Sequence, residues 1–71
     1  MKRVCVSSSS IASIGYDPGL QILEVEFAGG GVYQYSNVPQ DIFEEFQNAD
    51  SMGNYMNHNI KDRYPYSRVL E

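Results

Sequence analysis

Between Ile22 and Phe27 apolar and acidic residues alternate, with Leu23, Val25 and Phe27 on one side and Glu24 and Glu26 on the other. A period of two marks a strand with one packed face and one wet face. Upstream, Ile11 to Tyr16 is a shorter β-compatible run that stops at Asp17-Pro18-Gly19. Proline there pre-sets the first turn torsion and glycine accepts a positive φ. Downstream, Gly29-Gly30-Gly31 supplies a tight hairpin before Val32 to Ser36. The three runs predict an antiparallel meander.

After Asn37-Val38 the period changes. Pro39 suits a first helical turn, and Ile42, Phe43 and Phe46 form one apolar stripe. Asp41, Glu44 and Glu45 fall early in this helix, where carboxylates favour the positive end of its dipole; the helix is expected to end near Ala49-Asp50. Ser51 can cap a second helix carrying Tyr55, Met56 and Ile60, which Tyr64-Pro65 closes. The predicted fold class is α+β: a three-stranded antiparallel meander, then two helices packed on its Leu23/Val25/Phe27 face, in the order β-β-β-α-α. Residues 1–10, with the run Ser7 to Ser10, read as an extended lead-in. Residues 11–66 read as one domain and 67–71 as a C-terminal tail, with Leu70-Glu71 consistent with a tag scar.

The chain has 71 residues, enough for one hydrophobic core. No stretch approaches the roughly 20 apolar residues of a membrane helix. Met1-Lys2-Arg3 is followed by too short an apolar run for a signal peptide, and the single Cys5 cannot close an internal disulfide, so a cytoplasmic protein is expected. A net charge of −4 counts against a nucleic-acid partner. The distribution of that charge weakens the objection, because all five basic residues sit near the ends: Lys2 and Arg3, then Lys61, Arg63 and Arg68. Two readings stand. The termini meet and give an acidic body one basic end, or these are solvated ends.

The residues that carry chemistry are few. His58 is the one histidine, and no His-x-x-x-His or Cys-x-x-Cys spacing exists, so no metal is expected. Cys5 lies in the lead-in without an evident orienting group, which makes a nucleophilic pair with His58 poor. Gly29-Gly30-Gly31 joins strand to strand, with no following helix start to cradle a phosphate. Glu44 and Glu45 are adjacent on a helix and point apart. No catalytic constellation and no cofactor follow from this set.

Tyr33 and Tyr35 are candidates for a base-stacking platform or for core, and hairpin register separates the two. With Phe27 opposite Tyr33 both rings join the buried face; with Phe27 opposite Val32 they face Glu26 and Glu24. Lys61, Arg63, Tyr64, Tyr66 and Arg68 interleave basic and aromatic residues, which suits an RNA backbone or a tail pinned to the core. Asn57, beside the Tyr55/Ile60 stripe, is expected to be a half-buried structural amide tying the last helix down, with ligand recognition as its second reading.

Taken together, the sequence resembles the KTSC domain, a short module named for its occurrence at the C-terminus of some lysyl-tRNA synthetases and also found as a stand-alone bacterial protein. The likeness covers nearly the whole chain. It rests on Val6, Ser8, Ser9, Ile11 and Ile14-Gly15-Tyr16-Asp17, on Leu23-Glu24-Val25-x-Phe27, Tyr33-x-Tyr35 and Val38-Pro39, on Ser51-x-Gly53-x-Tyr55-x-Asn57-x-x-Ile60, and on Tyr64-Pro65-Tyr66. The resemblance implies the fold class and suggests RNA binding from the company the domain keeps. Gln34, Met52 and Asn54 stand where basic residues are common in the family, which removes candidate phosphate contacts. The expected function is therefore an interaction module with weak, salt-sensitive RNA or tRNA binding, its candidate contacts being Tyr33, Tyr35, Lys61, Arg63, Arg68, Lys2 and Arg3. The alternative is a protein–protein adaptor or self-associating structural domain with no nucleic-acid role. Neither a membrane nor DNA is an expected partner.

Overall fold

The alternating run becomes the middle strand of a five-stranded antiparallel sheet in the computed structural model, which describes residues 1–69. The strands are β1 (Val4–Cys5), β2 (Ile11–Asp17), β3 (Ile22–Phe27), β4 (Val32–Tyr35) and β5 (Tyr66–Val69), in that order across the sheet. Helices α1 (Gln40–Gln47) and α2 (Met52–Tyr55) lie between β4 and β5, and α2 runs directly into a π-helical turn, Met56–Ile60. The sequence predicts β2, β3 and β4; the sheet of five strands corrects the predicted three. The added pair come from the segments read as lead-in and tail. Each is short and without a telling apolar alternation, and it becomes a strand because a neighbouring edge offers backbone partners. Val4 and Cys5 pair with Ile14 and Ser13, and Tyr66 to Val69 pair with Tyr35 to Val32. The Leu70-Glu71 reading lies outside the described residues.

Turn chemistry sets the registers. The Asp17 carboxylate accepts from the backbone N–H groups of Gly19 (2.9 Å) and Leu20 (3.1 Å), closing the β2–β3 loop. Gly30 and Gly31 take φ of +111° and +92°, which other residues rarely adopt, and the Phe27 N–H donates to the Gly31 carbonyl at 3.0 Å. Leu23 therefore faces Tyr35 and Val25 faces Tyr33. Phe27 is opposite neither Tyr33 nor Val32, yet both tyrosines share the Leu23/Val25 face.

That face is the packed one. Ile11, Ile14, Leu23, Val25 and Tyr35 from the sheet meet Val38, Phe46, Met52, Met56 and Ile60, all buried. Burying each such side chain stabilises the fold by about 1.5–3 kcal/mol before ordering costs. The Tyr16 ring stacks on Phe43, 4.6 Å between centroids and 7° from parallel, and its hydroxyl donates to the Val38 carbonyl at 2.5 Å. Helix α1 stops at Gln47, just short of the expected Ala49-Asp50, where the Asn48 side chain donates to the Glu44 carbonyl at 2.8 Å. Ser51 caps α2 as expected, accepting from the Asn54 N–H at 3.3 Å. Met52, Met56 and Ile60 are spaced by four, and on an α-helix each step would drift by about 40°. The wider π turn, closed by the Lys61 N–H on the Met56 carbonyl at 2.8 Å, offsets that drift and keeps all three in the core. Tyr55 donates to Glu45 at 2.8 Å and so ties α2 to α1. Burial first, and then that carboxylate, push its phenol up to about 12.

Candidate aromatic cleft and the two chain ends

Pairing of β5 with β4 sets Arg68 opposite Tyr33 and Tyr66 opposite Tyr35. With side chains alternating across a strand, all four fall on the helix side of the sheet. The helices leave an open cleft of about 300 Å³ there, lined by Phe27, Gly30, Tyr33, Tyr35, Tyr66 and, from the turn after Ile60, Lys61 and Asp62. Its aromatic wall is continuous. Tyr33 meets Phe27 edge to face at 5.6 Å and Tyr66 at 5.9 Å, and Tyr66 tilts against Tyr35 at 5.6 Å. Tyr35 is 3 % exposed, Tyr33 half-buried, and Tyr66 61 % exposed. Tyr35 thus belongs to core and cleft together, while Tyr66 presents a ring to solvent. Burial pushes the Tyr35 phenol up, and the Tyr66, Tyr33 and Asp62 groups add to that. Gly31 makes room at the β4 end: a Cβ there would lie 3.1 Å from Tyr33 Cε1 and 3.7 Å from Arg68 Nη2. Lys61 and Arg68 form no salt bridge among the described residues.

The other basic end lies elsewhere. Because β1 and β5 are opposite edges of the sheet, they stand about four strand spacings, roughly 19 Å, apart. Of the two readings of the basic ends, the one in which the termini meet in one basic surface does not hold. Lys2 lines a separate groove with Val4, Tyr16 and Phe43 between the β1 edge and α1. Arg3 lies across the sheet face remote from the helices. Its Nε donates to Ser13 Oγ at 3.0 Å and its Nη1 to Glu24 at 2.5 Å. Ser13 in turn donates to Glu26, and Gln34 to Glu24, each at 2.8 Å. Glu24 is 4 % exposed. Burial alone would push its carboxyl up, but hydrogen bonds from Gln34 and Arg3 and the nearby positive charges outweigh that and hold it below its ordinary value. Gly15 is required by this arrangement, since a Cβ there would sit 2.6 Å from the Lys2 carbonyl oxygen.

Of the sequence candidates, the structure places Tyr33, Tyr35 and Lys61 in the cleft lining and Arg68 next to it, opposite Tyr33 and beside Gly31. Arg63 is exposed in the adjoining shallow depression with Tyr64 and Pro65, and Lys2 and Arg3 are remote. Asn57, expected to be half-buried, is exposed, because the π turn directs Met56 and Ile60 inward and leaves Asn57 and His58 outward. Sequence reasoning missed Phe27 and Asp62 as cleft residues and Glu24 as a buried charge. No local signal announced β5: beyond Pro65, Tyr66, Ser67, Arg68 and Val69 do not alternate apolar with polar, so only pairing with β4 reveals the strand. Among the described residues no group of three or more His, Cys, Asp or Glu could hold a metal ion. No helix there is long and apolar enough to cross a membrane.

Comparison with known proteins returns the same family from sequence and from structure. An uncharacterized protein of Stutzerimonas stutzeri is 47% identical over 70 residues, 97% of this chain and 99% of its own length. The lysine–tRNA ligase of Nostoc sp. is 38% identical over 61 residues, which span 86% of this chain and 11% of the ligase. The crystal structure of a KTSC domain protein from Yersinia pestis superposes with a TM-score of 0.95 at 39% identity, over 97% of both chains. The KTSC domain profile itself matches residues 7–64, and the chain belongs to the KTSC domain family.

Proposed function

We propose that this domain is a non-enzymatic interaction module that binds single-stranded RNA, including unpaired segments of tRNA, weakly through the aromatic cleft. The observation that carries the reading is the convergence of an exposed Tyr66 ring and a half-buried Tyr33 ring with Lys61 and Arg68, two cations without a salt bridge among the described residues. Aromatic faces accept unstacked bases and flanking cations take the phosphates, the division of labour common to single-strand binders. The same kind of domain inside lysine–tRNA ligases supports tRNA as the source, and with it a cytoplasmic setting. With so few cations the Kd is expected to be on the order of 10⁻⁴–10⁻⁶ M and to weaken steeply with salt. Titrating isotope-labelled protein with tRNA at low and moderate salt tests it. Shifts at Tyr33, Lys61, Tyr66 and Arg68 that fade with salt support the reading, and unmoved spectra at low salt refute it.

A second reading rests on β5 being an edge strand, whose free side can take an added strand from a protein partner or another copy of the chain. Concentration-dependent shifts along residues 66–69, insensitive to RNA and salt, would favour it.

A further inference from the structure

The cleft contains one group that a general phosphate-binding groove would exclude, the carboxylate of Asp62. It lines the cleft beside Lys61, acts on the Tyr35 phenol, and forms no salt bridge among the described residues. A carboxylate repels phosphate, so the cleft interior is unsuited to the backbone of a nucleic acid. The backbone would instead follow the strand side, where the Arg68 guanidinium lies beside Gly31 and across the strand pair from Tyr33. A base resting on the Tyr66 ring would have Asp62, which lines the same cleft, within reach of its hydrogen-bonding edge. Ionised, that side chain only accepts hydrogen bonds, so it discriminates among bases by the donors they present. Guanine offers two adjacent N–H donors on its Watson–Crick edge, matching the two oxygens of a carboxylate. Cytosine and adenine offer one amino group each, and uracil flanks its single N–H with two carbonyls that the carboxylate repels.

We infer that Asp62 makes this cleft selective for guanine, holding the base by its Watson–Crick edge while the exposed Tyr66 ring stacks on it and Tyr33, inclined by 61° to Tyr66, borders it. The inference rests on the RNA-binding reading above. Four oligoribonucleotides that differ only at the centre, UUGUU, UUCUU, UUAUU and UUUUU, are titrated into the full chain and into Asp62→Asn at low salt, with binding followed by NMR shifts. UUGUU is expected to bind about five- to tenfold more tightly than UUUUU. Asp62→Asn is expected to abolish that preference while leaving UUUUU binding unchanged or tighter, because a repulsive charge is gone. Asp62 is exposed, so the variant should keep the melting temperature of the parent. Equal affinity of the parent for all four oligomers, or a guanine preference that survives in Asp62→Asn, overturns the inference and leaves the RNA reading standing. Failure of all four to bind overturns both.

Discussion

The two edges of the sheet carry similar residues in opposite circumstances. At the β1 edge Arg3 is taken up by Ser13 and a nearly buried Glu24, and the strand it precedes is held down by that pair and by the bare backbone of Gly15. At the β5 edge Arg68 and Lys61 have no such partner among the described residues, and they border an aromatic cleft. Each end contributes positive charge to the same count, yet one charge is architectural and the other two are available. A charge total therefore says little about binding until each cation's partner is known.

The largest effect should come from breaking the architectural side. Arg3→Met leaves Glu24 buried without its cation, and a loss of about 2–4 kcal/mol is expected, read as a lower urea midpoint at neutral pH. RNA binding at the other edge should survive. The parent's stability should also depend on acid through this pair. The folded carboxyl of Glu24 is held below its ordinary value of 4.5, so on acidification the unfolded chain takes up the proton first. The stabilisation is complete above that value and is lost as the pH falls through the lower folded value. Arg3→Met should flatten this part of the stability profile, as measured by melting temperature against pH.

On the other side, Tyr66→Thr keeps a strand-favouring residue in an edge strand and removes the exposed ring. Binding of single-stranded RNA should weaken by about 1–3 kcal/mol with little change in melting temperature, measured by titration and thermal unfolding of one sample. Gly15→Ala sharpens the contrast by forcing a Cβ against the Lys2 carbonyl. It should cost about 1–2 kcal/mol, with amide exchange accelerated in Val4 and Cys5 ahead of the rest of the sheet. The smallest effect is Arg68→Gln, which should lower the slope of log affinity against log salt by about one, while Arg3→Met leaves that slope unchanged.

How far the sequence foretold this depends on where each signal resides. The strand of Leu23, Val25 and Phe27, the Asp17-Pro18-Gly19 turn and the Ser51 cap are local, written in side-chain alternation and in backbone preference, and they appear where the pattern puts them, although the positive φ of that turn falls on Gln21 (+55°) and not on the expected Gly19. Strands β1 and β5 have no such signature, because a two-residue and a four-residue edge are defined by the neighbour that pairs with them. The cleft was legible only in pieces. Tyr33, Lys61 and Arg68 stood out by residue type, whereas Phe27 and Asp62 join them solely through register and through the position of the turn after Ile60.

By itself the sequence determined the α+β class, the central hairpins, the helical stripes and the family, since these rest on periodicity, turn residues and ordered motifs that neighbouring residues enforce locally. Tertiary structure alone decided which basic residues are accessible, because sheet order separates the two ends and a buried carboxylate captures Arg3. It also decided that Tyr35 is core while Tyr66 faces solvent, since exposure is set by what packs over a ring and both rings read alike in the chain.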